Sequence, residues 1–196
     1  IQISNLSKIY SDVTVLNIDS LTIPQGESFG LVGNNGAGKT TLFRLILDLI
    51  EANSGNVTID DAPVARRDEW KSIVGSFLDE GFLIDFLTPE EHFKFVGKLY
   101  NKSEGDIALF LEGMKDFFND EILSDKKLIR DLSKGNQKKV GIAAALISDP
   151  KILILDEPFT ALDPSSQIRL KRLLNDLQKK DHMTMLISSH DLNHVT

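Results

Sequence analysis

Gly33-Asn34-Asn35-Gly36-Ala37-Gly38-Lys39-Thr40-Thr41 is the stretch on which the fold turns. It has the form G-x-x-x-x-G-K-[ST], the phosphate-binding P-loop. Each residue type has a physical task. The glycines permit backbone angles that other residues resist, so successive N–H groups can converge on one anion. The helix that follows adds its positive N-terminal end. Lys39 can reach outer phosphates as a point charge, and the Thr40 hydroxyl can ligate Mg²⁺. The flanks fit this reading. Glu27 to Val32 reads as a short apolar strand entering the loop. Leu42, Leu45, Ile46 and Leu49 recur at i, i+3, i+4 and i+7, an amphipathic helix leaving it. A plain glycine-rich turn before a helix is the alternative, and the strand–loop–helix context weighs against it.

Composition bounds what surrounds this loop. The chain has 196 residues, which suits one domain or one domain with a subdomain. That length buries most of the apolar surface without a disulfide or metal staple. There is no cysteine, so disulfides are excluded and thiols say nothing of the compartment. Lys plus Arg is 22 and Asp plus Glu is 29, a net charge of −7. That balance argues against a broad nucleic-acid-binding surface. No apolar run approaches the ~20 residues needed to cross a bilayer, and no signal peptide pattern is visible. The expectation is a soluble protein on the cytosolic side. The first residue is Ile1, and the expectation is a trimmed start.

Residues 1 to 32 read as strands. Ile1, Ile3 and Leu6 open an extended segment. Val13 to Ile23 carries Val13, Val15, Leu16, Ile18, Leu21 and Ile23, and Pro24-Gln25-Gly26 turns into the strand before the loop. After the loop helix, Ser54-Gly55 breaks the chain, Asn56 to Asp60 is a brief strand, and Asp60-Asp61-Ala62-Pro63 is a turn. Arg66 to Lys71 reads as a short helix and Ile73 to Leu78 as a strand. From Thr88 to Leu132 the pattern becomes helical and charge-rich. Thr88-Pro89-Glu90-Glu91 starts a helix with Thr as cap, Pro first and Glu third. Ile107 to Phe118 follows, with Ser103 as its cap. Ile152-Leu153-Ile154-Leu155 is fully apolar, as in a strand buried on both faces of a parallel sheet. Asp163-Pro164 starts a helix with Leu170, Leu173, Leu174 and Leu177 on one face, and Met183 to Ser188 is another buried strand. The fold class is α/β: a P-loop NTPase core with a mostly parallel sheet, an N-terminal antiparallel β segment, and a helical subdomain inserted over about 88–147 of a single domain, 1–196.

Asp156-Glu157 ends the apolar run. A carboxylate at the end of a buried strand, in a chain with a P-loop, is the usual second half of a phosphoryl-transfer site. Asp156 would help to hold Mg²⁺, and Glu157 would orient and polarise the attacking water as general base. An acidic turn is the alternative. Two further pieces follow. Leu132-Ser133-Lys134-Gly135-Asn136-Gln137 precedes a helix, where Ser133 alone reads as a cap. Ser188-Ser189-His190-Asp191 ends the last strand, where a lone histidine reads as structural or exposed.

Taken in order, these pieces resemble the nucleotide-binding subunit of an ABC transporter, and the resemblance spans nearly the whole chain. The sequence runs from an aromatic residue through Walker A, a helical subdomain, the signature loop, Walker B with its glutamate and the D-loop to the switch histidine. The resemblance implies an ATPase that couples ATP hydrolysis to transport. It implies that Tyr10 stacks on adenine with Val15 nearby, and that Gly33, Asn34, Asn35, Gly36, Ala37, Gly38, Lys39, Thr40 and Thr41 hold the phosphates. Ser133, Gly135 and Asn136 would bind the γ-phosphate held by a second subunit, through backbone N–H groups and a helix end. Thr160-Ala161-Leu162-Asp163 would be the D-loop, and Glu157 and His190 the catalytic pair. ATP and Mg²⁺ are the implied cofactors, with Thr40, Asp79 and Asp156 at the metal.

The implied partners are a transmembrane permease and a second nucleotide-binding subunit, with no nucleic acid. The implied location is cytoplasmic, at the inner face of the membrane. The signature departs from Leu-Ser-Gly-Gly-Gln, with Lys134 for the first glycine and Asn136 for the glutamine. A Ser-Lys-Gly form resembles a branch that includes drug and antibiotic exporters, so export is the expected direction. The Q-loop glutamine falls in Ser76-Phe77-Leu78-Asp79-Glu80 and aligns with Asp79, Glu80 being the other choice. The resemblance also implies that the family's domain continues beyond Thr196. A soluble ABC ATPase acting on DNA or ribosomes is the alternative; the lack of a heptad run between the Walker motifs, the single cassette in this sequence and the net charge weigh against it. A regulatory module that merely binds nucleotide is opposed by the intact Lys39, Asp156, Glu157 and His190.

Overall fold

The computed structural model describes residues 1–123 and 126–191. β1 (Gln2–Tyr10) and β2 (Val13–Thr22) form an antiparallel hairpin. Its tight turn uses Ser11 and Asp12, both with positive φ, the conformation that matches the strands' twist. β3 (Ser28–Val32) enters the P-loop and α1 (Lys39–Ile46) leaves it. β4 (Ser54–Ile59) returns antiparallel to β1 and turns through Asp60 and Asp61, again at positive φ, into β5 (Ala62–Pro63). The expected turn at 60–63 is thus a hairpin whose second half is a short strand. The first sheet has the order β2-β1-β4-β5.

The second sheet is parallel, in the order β3-β8-β7-β6. It comprises β6 (Val74–Phe77), β7 (Ile152–Leu155), β8 (Thr184–Ser189) and the edge strand β3. The short helix read at 66–71 is a 3₁₀ turn placed later, over Glu69–Ile73. A second 3₁₀ turn, Glu80–Phe82, follows β6. The helical block holds α2 (Pro89–Leu99), α3 (Glu104–Gly113) and α4 (Lys115–Phe118). The single helix expected over 107–118 is therefore two, which part at Met114. Thr88 with Glu91 and Ser103 with Asp106 each close a reciprocal cap, which satisfies two orphan N–H groups per helix start. α5 (Lys134–Leu146) and α6 (Pro164–Asp181) complete the fold, capped by Ser133 and Asp163.

β7 organises the core. Side chains alternate across a strand, so Ile152 and Ile154 face one side and Leu153 and Leu155 the other. Ile152 and Ile154 join α1 (Leu42, Phe43, Ile46) and the antiparallel sheet (Ile3, Leu6, Val57, Ile59) in one buried cluster. Leu153 and Leu155 join α5, α6 and the helical block, including Phe93, Ile107 and Phe118, in the other. The helical block thus shares a core with the parallel sheet. This layering brings the carboxyl ends of β3, β8 and β7 side by side, the edge of an open α/β sheet where ligands bind.

Candidate nucleotide site

The P-loop is held by backbone geometry. Gly36 and Gly38 have φ of 83° and 87°, angles costly for a residue with a side chain. A Cβ on Gly38 would also stand 2.9 Å from the Val15 carbonyl oxygen. Gly38 is the N-cap of α1, makes no side-chain cap, and no acidic residue lies in the first turn. The helix start is therefore electropositive and uncompensated, as an anion site requires. Lys39 is 7% exposed. Its ammonium donates to the carbonyls of Gly33 (2.6 Å) and Asn34 (3.2 Å) and lies 3.2 Å from Glu157 Oε1. The loop encloses a cavity of about 270 Å³ lined by Val15, Asn35 to Thr41 and Glu157.

The other two strand ends reach the same place. The Thr40 hydroxyl donates to Asp156 Oδ2. Ser188, fully buried at the end of β8, donates to Asp156 Oδ1 and accepts the Glu157 N–H at 2.8 Å. Glu157 Oε2 lies 2.8 Å from His190 Nδ1. Glu157 Oε1 accepts no hydrogen bond and is buried, with only the Lys39 charge beside it. Partial burial opposes ionisation of Glu157, but the His190 hydrogen bond and then Lys39 outweigh it, so its pKa sits below the ordinary carboxylate value.

These residues fit a nucleoside triphosphate with Mg²⁺. The orphan oxygen of Glu157 and the uncapped helix start open on one cavity. Among the described residues no three His, Asp or Glu form a metal cage. A hydroxyl and a carboxylate are instead the hard oxygen donors of a site that phosphate oxygens and water complete.

The remaining candidates lie apart. Tyr10 pairs with Val13 at the exposed end of β1, with Lys8 Nζ 4.9 Å from its ring centre. Asp79 turns back on its own backbone: its carboxylate accepts the Gly81 N–H at 2.7 Å and makes no hydrogen bond to Thr40 or Asp156. The Ser133 hydroxyl accepts the Asn136 N–H at 3.2 Å, and neither residue lines the P-loop cavity. Gly135 packs so closely on the next loop that a Cβ there would stand 2.7 Å from the Ala161 carbonyl oxygen.

The sequence profile of the ABC transporter family matches residues 16–160. The chain belongs to that family. It is an ATP-binding cassette, the ATPase component of such transporters. It is 34% identical over 197 residues to the lantibiotic transport ATP-binding protein SrtF of Streptococcus pyogenes, an alignment that takes in 100% of this chain and 82% of the relative. It is 33% identical over 199 residues to the bacitracin transport ATP-binding protein BcrA of Enterococcus faecalis, covering 100% of this chain and 62% of that protein. The dimeric structure of the bacterial ABC transporter cassette MJ0796 superposes with a TM-score of 0.85 at 25% identity, over 99% of this cassette and 89% of that one.

Two residues of the cassette's site escaped the sequence reading. Ser188 reads in the sequence as the end of a buried strand, and its polarity there is the one signal. Lys138 is 6% exposed and donates to the main-chain carbonyl of Glu157 (2.8 Å) and to Thr160 Oγ1 (2.6 Å). A lysine in the first turns of a helix ordinarily faces water, so nothing local marked it.

Proposed function

We propose that the cassette powers export through a membrane permease, two copies enclosing two ATP molecules. The observation that carries this reading is the cluster of Lys39, Thr40, Asp156, Glu157 and His190 at three neighbouring strand ends. It is half of a site: the helix start capped by Ser133 lies outside the P-loop cavity, free to face the cavity of a second copy. In this reading Gly33 to Thr41 cradle the phosphates, and Lys39 leaves Glu157 for the outer phosphate oxygens. Thr40 and Asp156 hold Mg²⁺, which when bound neutralises phosphate charge. Glu157 takes a proton from the attacking water, His190 contacts the γ-phosphate, and Tyr10 and Val15 border the adenine. Ser133, Gly135 and Asn136 of the other copy close over the γ-phosphate. Asp79 would join the metal only after its Gly81 bond opened.

The permease is supported by two observations. No helix among the described residues is long and apolar enough to cross a membrane, and the relatives are named as the ATP-binding proteins of transport systems. An apolar groove of about 280 Å³, lined by Leu47, Trp70, Val74, Leu78, Phe82 and Tyr100, lies beside the turn at Glu80–Phe82, and Phe82 and nearby Phe86 are exposed. We assign this surface to the permease. Export, rather than import, rests on the Ser-Lys-Gly form of the signature and on the names of the two relatives.

Glu157→Gln tests the catalytic core. It should leave ATP affinity unchanged, trap an ATP-dependent dimer on size exclusion, and slow phosphate release about 100-fold or more. Wild-type turnover would remove Glu157 from its role. Isolation of the full-length chain from membranes should bring a polytopic membrane protein with it. Copurification with ribosomes or nucleic acid instead would favour a soluble function.

A further inference from the structure

We propose that Lys138 is a positioning residue for hydrolysis: its buried ammonium clamps the Glu157 carbonyl and the Thr160 hydroxyl, and so fixes the turn from which the Glu157 carboxylate projects. The inference rests on the assignment of Glu157 as the base.

Glu157 has φ +47°, a left-handed conformation that is strained for a non-glycine residue and persists only where its surroundings hold it. The surroundings here are three donors on one oxygen. The Glu157 carbonyl accepts Lys138 Nζ at 2.8 Å, Thr160 Oγ1 at 2.7 Å and the Thr160 N–H at 3.3 Å. Thr160 Oγ1 in turn accepts Lys138 Nζ at 2.6 Å, so lysine, threonine and carbonyl close a ring. Charge-assisted bonds of this kind are roughly twice as strong as neutral ones. Burial pulls the Lys138 pKa down, while Glu80, Glu157 and Asp156 oppose it. Glu80 Oε1 stands 3.9 Å away, an ion-pair neighbour from the 3₁₀ turn after β6.

The clamp matters most when nucleotide is bound. Lys39 and His190 flank the two carboxylate oxygens of Glu157. Once Lys39 turns to phosphate, the side chain keeps one of those neighbours, and the main-chain clamp carries the rest of the positioning. Neither Lys138 nor Thr160 lines the P-loop cavity. Removing it should therefore disturb turnover without disturbing ATP binding.

The test uses the full-length chain, phosphate release for kcat, and ATP titration for Kd. Lys138→Met and Thr160→Val should each lower kcat about tenfold or more, as a base displaced by a fraction of an ångström does, with Kd within about twofold. Thr160→Ser, which keeps the hydroxyl, should retain near wild-type kcat. The double variant Lys138→Met/Thr160→Val should lose no more than the worse single variant, because both act on one carbonyl. Wild-type kcat in either single variant, kcat and affinity falling together, or multiplied losses in the double would overturn the clamp. If thermal unfolding shows that Lys138→Met does not fold, the Thr160 pair decides by the same criteria. An active Glu157→Gln chain would sink the base itself. An inactive one beside intact Lys138→Met and Thr160→Val would sink only the clamp.

Discussion

At the scale of single residues, Ser188 shows how two adjacent carboxylates are held in different directions. Its hydroxyl donates to Asp156 and accepts from the Glu157 N–H, so one small side chain sets the spacing of both. Asp156 is thereby turned to Thr40, while Glu157 points to Lys39 and His190. Ser188→Ala removes a buried donor and a buried acceptor together. We expect a loss of about 1–3 kcal/mol in denaturant unfolding, and a fall in kcat that exceeds any change in KM. The placing of Asp156 and Glu157 beside the P-loop was legible, because four apolar residues mark the buried strand that ends in them. Ser188 was not, because a serine near a strand end is common and its two bonds depend on which strands neighbour β8.

At the scale of elements, local chemistry read well wherever the chain satisfies its own backbone. The starts of α2, α3, α5 and α6 follow from Thr88, Ser103, Ser133 and Asp163, whose oxygens answer N–H groups two or three residues on. Elements set by packing read less well. The boundary between α3 and α4 at Met114, and the 3₁₀ turn displaced to Glu69–Ile73, carry no side-chain cap that would mark them in the sequence. α5 is the clearest case. It is buried almost all round, so Lys138 and Lys139 have no wet face, and Lys139 answers Glu121 from the helical block at 3.0 Å. On α2, His92 is buried with Nδ1 unpartnered, and that burial holds its pKa below the ordinary 6.5. The unfolded chain takes up that proton below pH 6.5 and the folded chain resists it, so this site favours folding above that pH and loses its contribution as pH falls. His92→Leu should therefore show a smaller drop in Tm between pH 7.5 and 5.5 than the unaltered protein. An equal drop in both would place the acid sensitivity elsewhere.

At the scale of the whole molecule, the assignment of half a site to each chain has a direct consequence. Lys39→Ala destroys the cradle and keeps the signature, while Ser133→Arg does the reverse. Each chain alone should be inactive. Mixed in equal amounts, half the dimers pair one of each, and each such dimer holds one intact site. Phosphate release should then recover to about a quarter of the unaltered rate, as two-fold symmetry requires. No recovery on mixing would mean that each chain completes its own site. The shared strand β7 has a different consequence. Its odd and even residues belong to two separate cores, one reaching the hairpin of β1 and β2 and the other the helices α2 to α4. Neither core keeps its shape if that strand lets go. The lobes that look separable along the sequence are therefore fastened by a common spine, and heat has no stable half to leave behind.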